Sequence, residues 1–289
     1  MRVEPLSRSL ERAAGLGYES VELTGEPDAH PIPETAKLLA DYGLRCWGAG
    51  SVMRGERNLA APDAAQRART VEYLRSTARL SAELGGSVLT VVPATVGLVV
   101  PEGPADREWA HVVEGLQAVA QETQRLGLAL AIEPINRFET YLVNRADQAL
   151  ALAEDVGYGC GVCLDTFHLA MEESDLLEAI ELVGPRLHDF HVADNNRLAP
   201  GMGSLDWPRI VAALERIGYA GALAAEFMPA VDRTPRAAAS GQGEDRADDP
   251  GADEEDFLRR HGSGLVSESY YSSLARRTAE TLSPLLPRP

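Results

Sequence analysis

Apolar and polar positions along this chain follow two alternating spacings. In "SLERAAGLG" (9–17), "ETAKLLADYG" (34–43), "DAAQRARTVEYLRSTARLSAELG" (63–85) and "REWAHVVEGLQAVAQETQRLG" (107–127), apolar residues recur every three or four positions. The same holds for "ADQALALAEDVG" (146–157), "SDLLEAIELVG" (174–184), "DWPRIVAALERIG" (206–218) and "SYYSSLARRTAETLSPLL" (269–286). That period predicts helices, each with one face buried. Between them lie short apolar runs: "SVEL" (20–23), "RCWGAG" (45–50), "SVLTVVP" (87–93), "LALAIEPI" (128–135), "GVCLDTF" (161–167), "LHDFHVAD" (187–194) and "ALAAEFM" (222–228). These runs are mostly continuous, as expected for parallel strands covered on both faces. Gly17, Gly43, Gly85, Gly127, Gly157, Gly184 and Gly218 stand at helix ends, where a left-handed residue closes a helix. Asp63 is a candidate N-cap for the long helix.

Repeated strand–helix units predict an α/β fold, a (β/α)8 TIM barrel. The pattern supplies seven clear strands where such a barrel has eight. Only "RVEP" precedes the first helix, too short and too polar for a strand, so the barrel is expected to lack its first strand. The strands "SVEL" and "ALAAEFM" would then be open edges. The expected organisation is a barrel domain over 1–231, an acidic insertion over 232–256, and a C-terminal segment over 257–289 whose helix packs on the barrel. The insertion, rich in Ala, Gly, Asp, Glu and Pro, cannot bury enough surface to offset its chain entropy and is expected to be disordered.

Composition narrows the function. The formal charge is −17 and Lys37 is the only lysine. Nucleic-acid and membrane-surface partners are excluded on charge. No stretch is apolar enough to span a bilayer, and the N-terminus has no signal-peptide core, so a cytoplasmic enzyme is expected. A class I aldolase needs a strand lysine for its Schiff base, whereas Lys37 falls on a helix. Cys160 and Cys163 form a C-x-x-C at the start of an apolar run, not before a helix, and are read as incidental.

The candidate chemistry lies at strand ends. Glu133, Asp165, His191 and Glu226 close four successive strands, and all C-terminal strand ends of a parallel barrel open on one face. Singly, an acid there is most often a helix cap and a histidine most often a bonded core residue. Three carboxylates and an imidazole at one level are a different matter, because burying each charge costs on the order of several kcal/mol. Such a set needs a cation, and oxygen-rich donors suit Mn²⁺, with Mg²⁺ or Co²⁺ as alternatives. Pro134, directly after Glu133, withholds a backbone donor and would turn the chain out of the sheet. Arg137 is read as a structural partner of nearby acids.

The segments "EPINRFE" (133–139), "LDTFH" (164–168), "HVADNNR" (191–197) and "EF" (226–227) resemble the xylose-isomerase-like sugar isomerases and epimerases, above all the ketose 3-epimerases acting on D-tagatose and D-psicose. The likeness runs from about residue 10 to 230. It implies one divalent metal held by Glu133, Asp165, His191 and Glu226. It also implies Glu139, His168 and Arg197 as substrate-binding residues at the C1–C3 end of an open-chain ketose. Glu133 and Glu226 would be the catalytic acid–base pair, exchanging the proton next to the carbonyl through an enediolate. The implied partner is a small sugar or polyol, with a homo-oligomer as a further expectation. The chain departs from the family in lacking first-strand aromatics and in having Met228 near the last glutamate. Inosose isomerases, polyol dehydratases and hydroxypyruvate isomerases, which use related sites, remain open, as does a truncated barrel without catalysis. A DNA-repair endonuclease of the same superfamily would need more histidines than the six present.

Overall fold

A computed structural model describes residues 4–228 and 267–286. It begins with helix α1 (Leu6–Gly15), which leads to strand β1 (Ser20–Gly25). Four helix–strand pairs follow: α2 (Ile32–Asp41) and β2 (Arg45–Ser51), α3 (Ala64–Glu83) and β3 (Val88–Val91), α4 (Ala105–Leu126) and β4 (Ala129–Ile132), α5 (Ala146–Val156) and β5 (Gly161–Asp165), and then two helices and a strand, α6 (Thr166–Glu172), α7 (Leu176–Val183) and β6 (Leu187–Val192). The order closes with α8 (Trp207–Arg216), β7 (Leu223–Ala225) and α9 (Glu268–Leu282).

The seven described strands form one parallel sheet in sequence order, β1 to β7. It curls into a nearly closed barrel, the (β/α)8 pattern less one strand. Among the described residues β1 pairs only with β2 and β7 only with β6, so both are edges as the sequence implied. The helical ring closes across that side even so. Arg12 of α1 donates to Ser272 of α9 at 2.8 Å, and the Tyr18 hydroxyl donates to the Ala275 carbonyl at 2.8 Å.

Local chemistry explains the element ends. Asp63 caps α3 through the Ala65 amide, as expected. The seven glycines at helix ends all have positive φ, from 52° to 81°. The main core packs α3, α4, α5, α7 and α8 against the outer faces of β3 to β6, around Leu74, Leu89, Leu116, Ile132, Leu152 and Phe190. Strands β3 to β7 are shorter than their apolar runs, whereas β1 and β2 extend beyond theirs; "GVCLDTF" divides, as β5 stops at Asp165 and Thr166 opens α6. Asp165 itself caps α6, its Oδ1 accepting from the Phe167 amide at 2.7 Å, so the strand run changes to helix at a residue whose side chain is the new start signal. Cys46, Cys160 and Cys163 are buried and unlinked. Lys37 sits on α2, exposed and paired with Asp41, far from any Schiff-base role. The acidic segment 232–256 lies outside the described residues.

Candidate active site

Each predicted ligand stands at the C-terminal end of its strand. Glu133 follows β4 directly and its amide still bonds the Val91 carbonyl at 3.0 Å. Asp165 ends β5 opposite His191 of β6. Glu226 follows β7, its amide on the Val192 carbonyl at 3.1 Å. Parallel pairing therefore brings the four to one level. One donor atom from each of Glu133, Asp165, His191 and Glu226 lies within 4.8 Å of the other three. His191 Nδ1 is 3.1 Å from Glu133 Oε1 and 3.1 Å from Glu226 Oε2. The first three are buried, and Glu226 is the most open, with 41 % of its side chain exposed.

The electrostatics are those of a site short of positive charge. Burial, reinforced by Glu226 and Asp165 and opposed by His191, pushes Glu133 up to about 7. Burial likewise pushes Asp165 up to about 6, against the pull of Arg197. Burial acts on Glu226 too, but Arg197, His191 and His168 outweigh it and hold that carboxylate well below its ordinary range. For His191, burial is outweighed by Cys163, Glu22, Glu133 and Asp189, which together raise it well above 6.5. Three hard oxygen donors and one imidazole nitrogen, converging in a buried acidic pocket, fit a divalent cation.

Arg197 is the permanent cation among these groups. Its guanidinium bonds Asp165 Oδ2 and, at 2.9 Å, Glu226 Oε1, and it stacks 4.8 Å from the Phe167 ring centroid. It sits in the left-handed region at φ 61°, a conformation rare for a residue with a side chain. The loop that imposes this is built around Asp194, fully buried, which accepts from the amides of Asn195, Gly201 and Leu205 and from the Trp207 indole. The Arg197 carbonyl in turn accepts from the Met228 amide at 2.7 Å, tying the loop to the segment after Glu226.

His168 and Glu139 meet through Asn136, a residue the sequence reading passed over. Asn136 Nδ2 donates to Glu139 Oε1 at 2.8 Å and lies 2.9 Å from His168 Nδ1, which also accepts the Asn136 backbone N–H at 3.2 Å. Burial, then Arg197, lowers His168 to about 4, so the ring is neutral and its Nε2 carries the proton. Pro134 stands where the ladder ends: after Glu133 the chain leaves the sheet, and the Ile135 amide donates to the Val143 carbonyl at 3.2 Å across a loop. Arg137 pairs with Glu172 at 2.9 Å and 3.0 Å, the structural role expected of it. Also missed were Glu22 of β1 and Asp189 of β6, which face His191 Nε2 at 3.0 Å and 3.3 Å. Asp189 could have been found, since it stands two residues before His191 and strand residues two apart share a face. Cys163, set aside in the sequence, lines the same cluster beside Glu133 and His191.

A parallel barrel with a ring of acids and one histidine on its C-terminal rim is the active-site plan of a TIM-barrel enzyme. The chain belongs to the xylose isomerase-like TIM barrel family, whose sequence model matches residues 10–245. It is 34% identical to a D-psicose 3-epimerase of Agrobacterium fabrum over 75% of this chain and 77% of that protein. It is also 34% identical to an L-ribulose 3-epimerase of Mesorhizobium japonicum over 76% of this chain and 75% of that protein. A D-allulose 3-epimerase from Methylomonas sp., solved in complex with D-allulose, superposes with a TM-score of 0.80 at 25% identity, covering 97% of this chain and 91% of that one. The protein is therefore an enzyme, of the sugar isomerase and epimerase class. No helix among the described residues is long and apolar enough to cross a membrane.

Proposed function

We propose that this protein is a divalent-metal-dependent ketose 3-epimerase. The observation that carries the reading is the convergence of Glu133, Asp165, His191 and Glu226 within 4.8 Å at the mouth of a barrel of this family. These four residues would hold the ion. When bound, it would supply Lewis-acid polarisation of the substrate carbonyl, which acidifies the proton on the neighbouring carbon.

The remaining chemistry falls to the side chains. Glu226, held ionised by Arg197 and His191, suits the base. Glu133, raised to about 7 by burial, suits the acid that returns a proton. Removing the proton from one face of C3 and returning it on the other, through an enediolate, inverts that carbon, and exchanging the two roles runs the reaction backwards. His168, neutral with Nδ1 already accepting from Asn136, offers its Nε2–H to the developing oxyanion. Glu139, fixed through the same Asn136, would accept a substrate hydroxyl. Arg197 adds the fixed positive charge.

Mn²⁺ titration and C3 deuterium exchange with D-psicose, D-fructose, D-tagatose and L-ribulose test the reading. Wild type should bind one Mn²⁺ and exchange the C3 proton only with metal. Glu133→Gln and Asp165→Asn should lose both bound metal and exchange. Wild-type metal content in both variants would mean that the ligands are wrongly assigned. Exchange at a carbon other than C3 would move the enzyme to another reaction of the family.

A further inference from the structure

Beneath the mouth, the barrel interior holds a second polar layer that the proposed reaction does not use. Glu22 of β1 reaches across the barrel and places Oε2 3.0 Å from His191 Nε2. Asp189 Oδ2 lies 3.3 Å from the same nitrogen. Asp189 is fully buried and held on every side: Oδ1 accepts from the Trp47 indole at 2.9 Å and the Phe190 amide at 2.9 Å, and Oδ2 from the Thr90 hydroxyl at 2.8 Å. Glu22 contrasts with it, since its Oε1 is buried without a hydrogen-bond partner.

Two irregularities of the sheet build this layer. Between β1 and β2 the register jumps from Val21↔Cys46 to Glu22↔Gly48, so Trp47 is an extra residue. Between β5 and β6 it jumps from Val162↔Leu187 to Cys163↔Asp189, so His188 is the extra residue. An extra residue re-aims the side chains beside it, and bulges gather next to active sites for that reason. Here both jumps fall at this layer: one beside Glu22 and at Trp47, the other beside Asp189. Gly50 leaves the room required, because a Cβ there would stand 3.2 Å from Glu22 Oε1.

We propose that Glu22 and Asp189 are positioning residues that together grip the Nε2–H of His191 and so present its Nδ1 to Glu133 and Glu226. The proposal rests on the metal-site reading above and extends it. A neutral imidazole that binds a cation through one nitrogen carries its proton on the other, and an acceptor for that proton sets the tautomer and orients the ring. Asp189 is the rigid half of the grip, locked by Trp47, Thr90 and its neighbour's amide. Glu22 is the half engaged with His191 alone among the described residues. Glu22, Asp189 and His191 also lie within 4.8 Å of one another, a spacing a cation could share. The oxygens of Asp189 are filled by donors, however, which favours a proton over a second ion.

The test measures Mn²⁺ affinity and stoichiometry, thermal stability, and the His191 Nε2 proton by ¹⁵N-edited NMR, in wild type, Glu22→Ala, Glu22→Gln and Asp189→Asn. The expected result is one Mn²⁺ in wild type and roughly 10- to 100-fold weaker binding in Glu22→Ala. Glu22→Gln, which keeps an acceptor oxygen, should recover most of that loss. The Nε2 proton should exchange slowly in wild type and be lost to exchange in Glu22→Ala. A lower melting temperature with unchanged Mn²⁺ affinity and an unchanged Nε2 proton would reduce Glu22 to a packing role and overturn the proposal. Two Mn²⁺ per chain would overturn it by making Glu22 and Asp189 ligands. Asp189→Asn disturbs three other bonds, so Glu22 carries the test if that variant does not fold. Absence of any Mn²⁺ binding in wild type would sink the metal reading instead, and the Nε2 proton would then decide whether the grip exists.

Discussion

Arg197 shows how one residue serves two demands. Its guanidinium joins Asp165 and Glu226, two carboxylates that would otherwise repel each other in a buried site. Removing one partner of a buried pair costs on the order of 3 kcal/mol, because the remaining charge is left uncompensated. A bound cation would restore that charge. Arg197→Ala should therefore lower kcat sharply, keep Mn²⁺, and show a larger rise in melting temperature on adding Mn²⁺ than wild type does. Calorimetric melts with and without metal would check this. An equal rise in both proteins would mean that the guanidinium does not balance the ligand carboxylates. Loss of Mn²⁺ would mean that Arg197 orients the ligands themselves.

At the scale of elements, the loop after β3 meets the loop after β4 beside the site. The Gly97 amide bonds the Glu139 carbonyl at 2.8 Å, and the Tyr141 amide bonds the Leu98 carbonyl at 3.1 Å. Glu108, on the first turn of α4 and 2 % exposed, fastens this pair. Its Oε1 accepts from the Glu102 and Gly103 amides and its Oε2 from the Tyr141 hydroxyl at 2.6 Å. Glu108→Ala leaves two amides and a phenol without a protein partner, at a cost of roughly 1–3 kcal/mol. The melting temperature should fall by about 2–8 °C. Glu139 is tied to the same loops, so KM for the sugar substrate should rise more than kcat falls. Steady-state kinetics separate the two, and a change confined to kcat would show that the loops do not position substrate.

At the scale of the whole molecule, the proposed metal would compete with protons that the folded site holds. At low pH the metal-free site keeps protons on His191, raised well above 6.5, and on Glu133, raised to about 7. A divalent ion must displace them, so binding releases protons and weakens as pH falls. The sign follows: as pH rises through about 7, Glu133 loses its proton unaided and the competition eases. Ligand bound only to the folded state stabilises it, by about 2.7 kcal/mol at one hundred times Kd. The rise in melting temperature at fixed Mn²⁺ should thus be larger at pH 8 than at pH 6. An equal rise at both would show that these groups bind no proton that the metal displaces.

Local pattern was enough to determine most of the elements and the level at which the candidate ligands lie. Seven strands and eight of the nine described helices follow from apolar spacing, because burial on one face or on two is written into which positions are apolar. The strand-end positions of Glu133, Asp165, His191 and Glu226 follow from the same spacing, since parallel strands share a polarity. Helix α6 escaped because its start signal, Asp165, is also a site residue, and "TF" continues an apolar run in sequence while turning away in space. The tertiary structure alone decided what faces what across the barrel. Glu22 and Asp189 are 167 positions apart, and no spacing in the sequence foretells that they share the His191 ring. Nor does it foretell two register jumps, since an extra residue in a ladder is defined only against its partner strand. Pattern reports burial, which each residue expresses alone; contact across the interior depends on the curl of the sheet, which only the assembled strands possess.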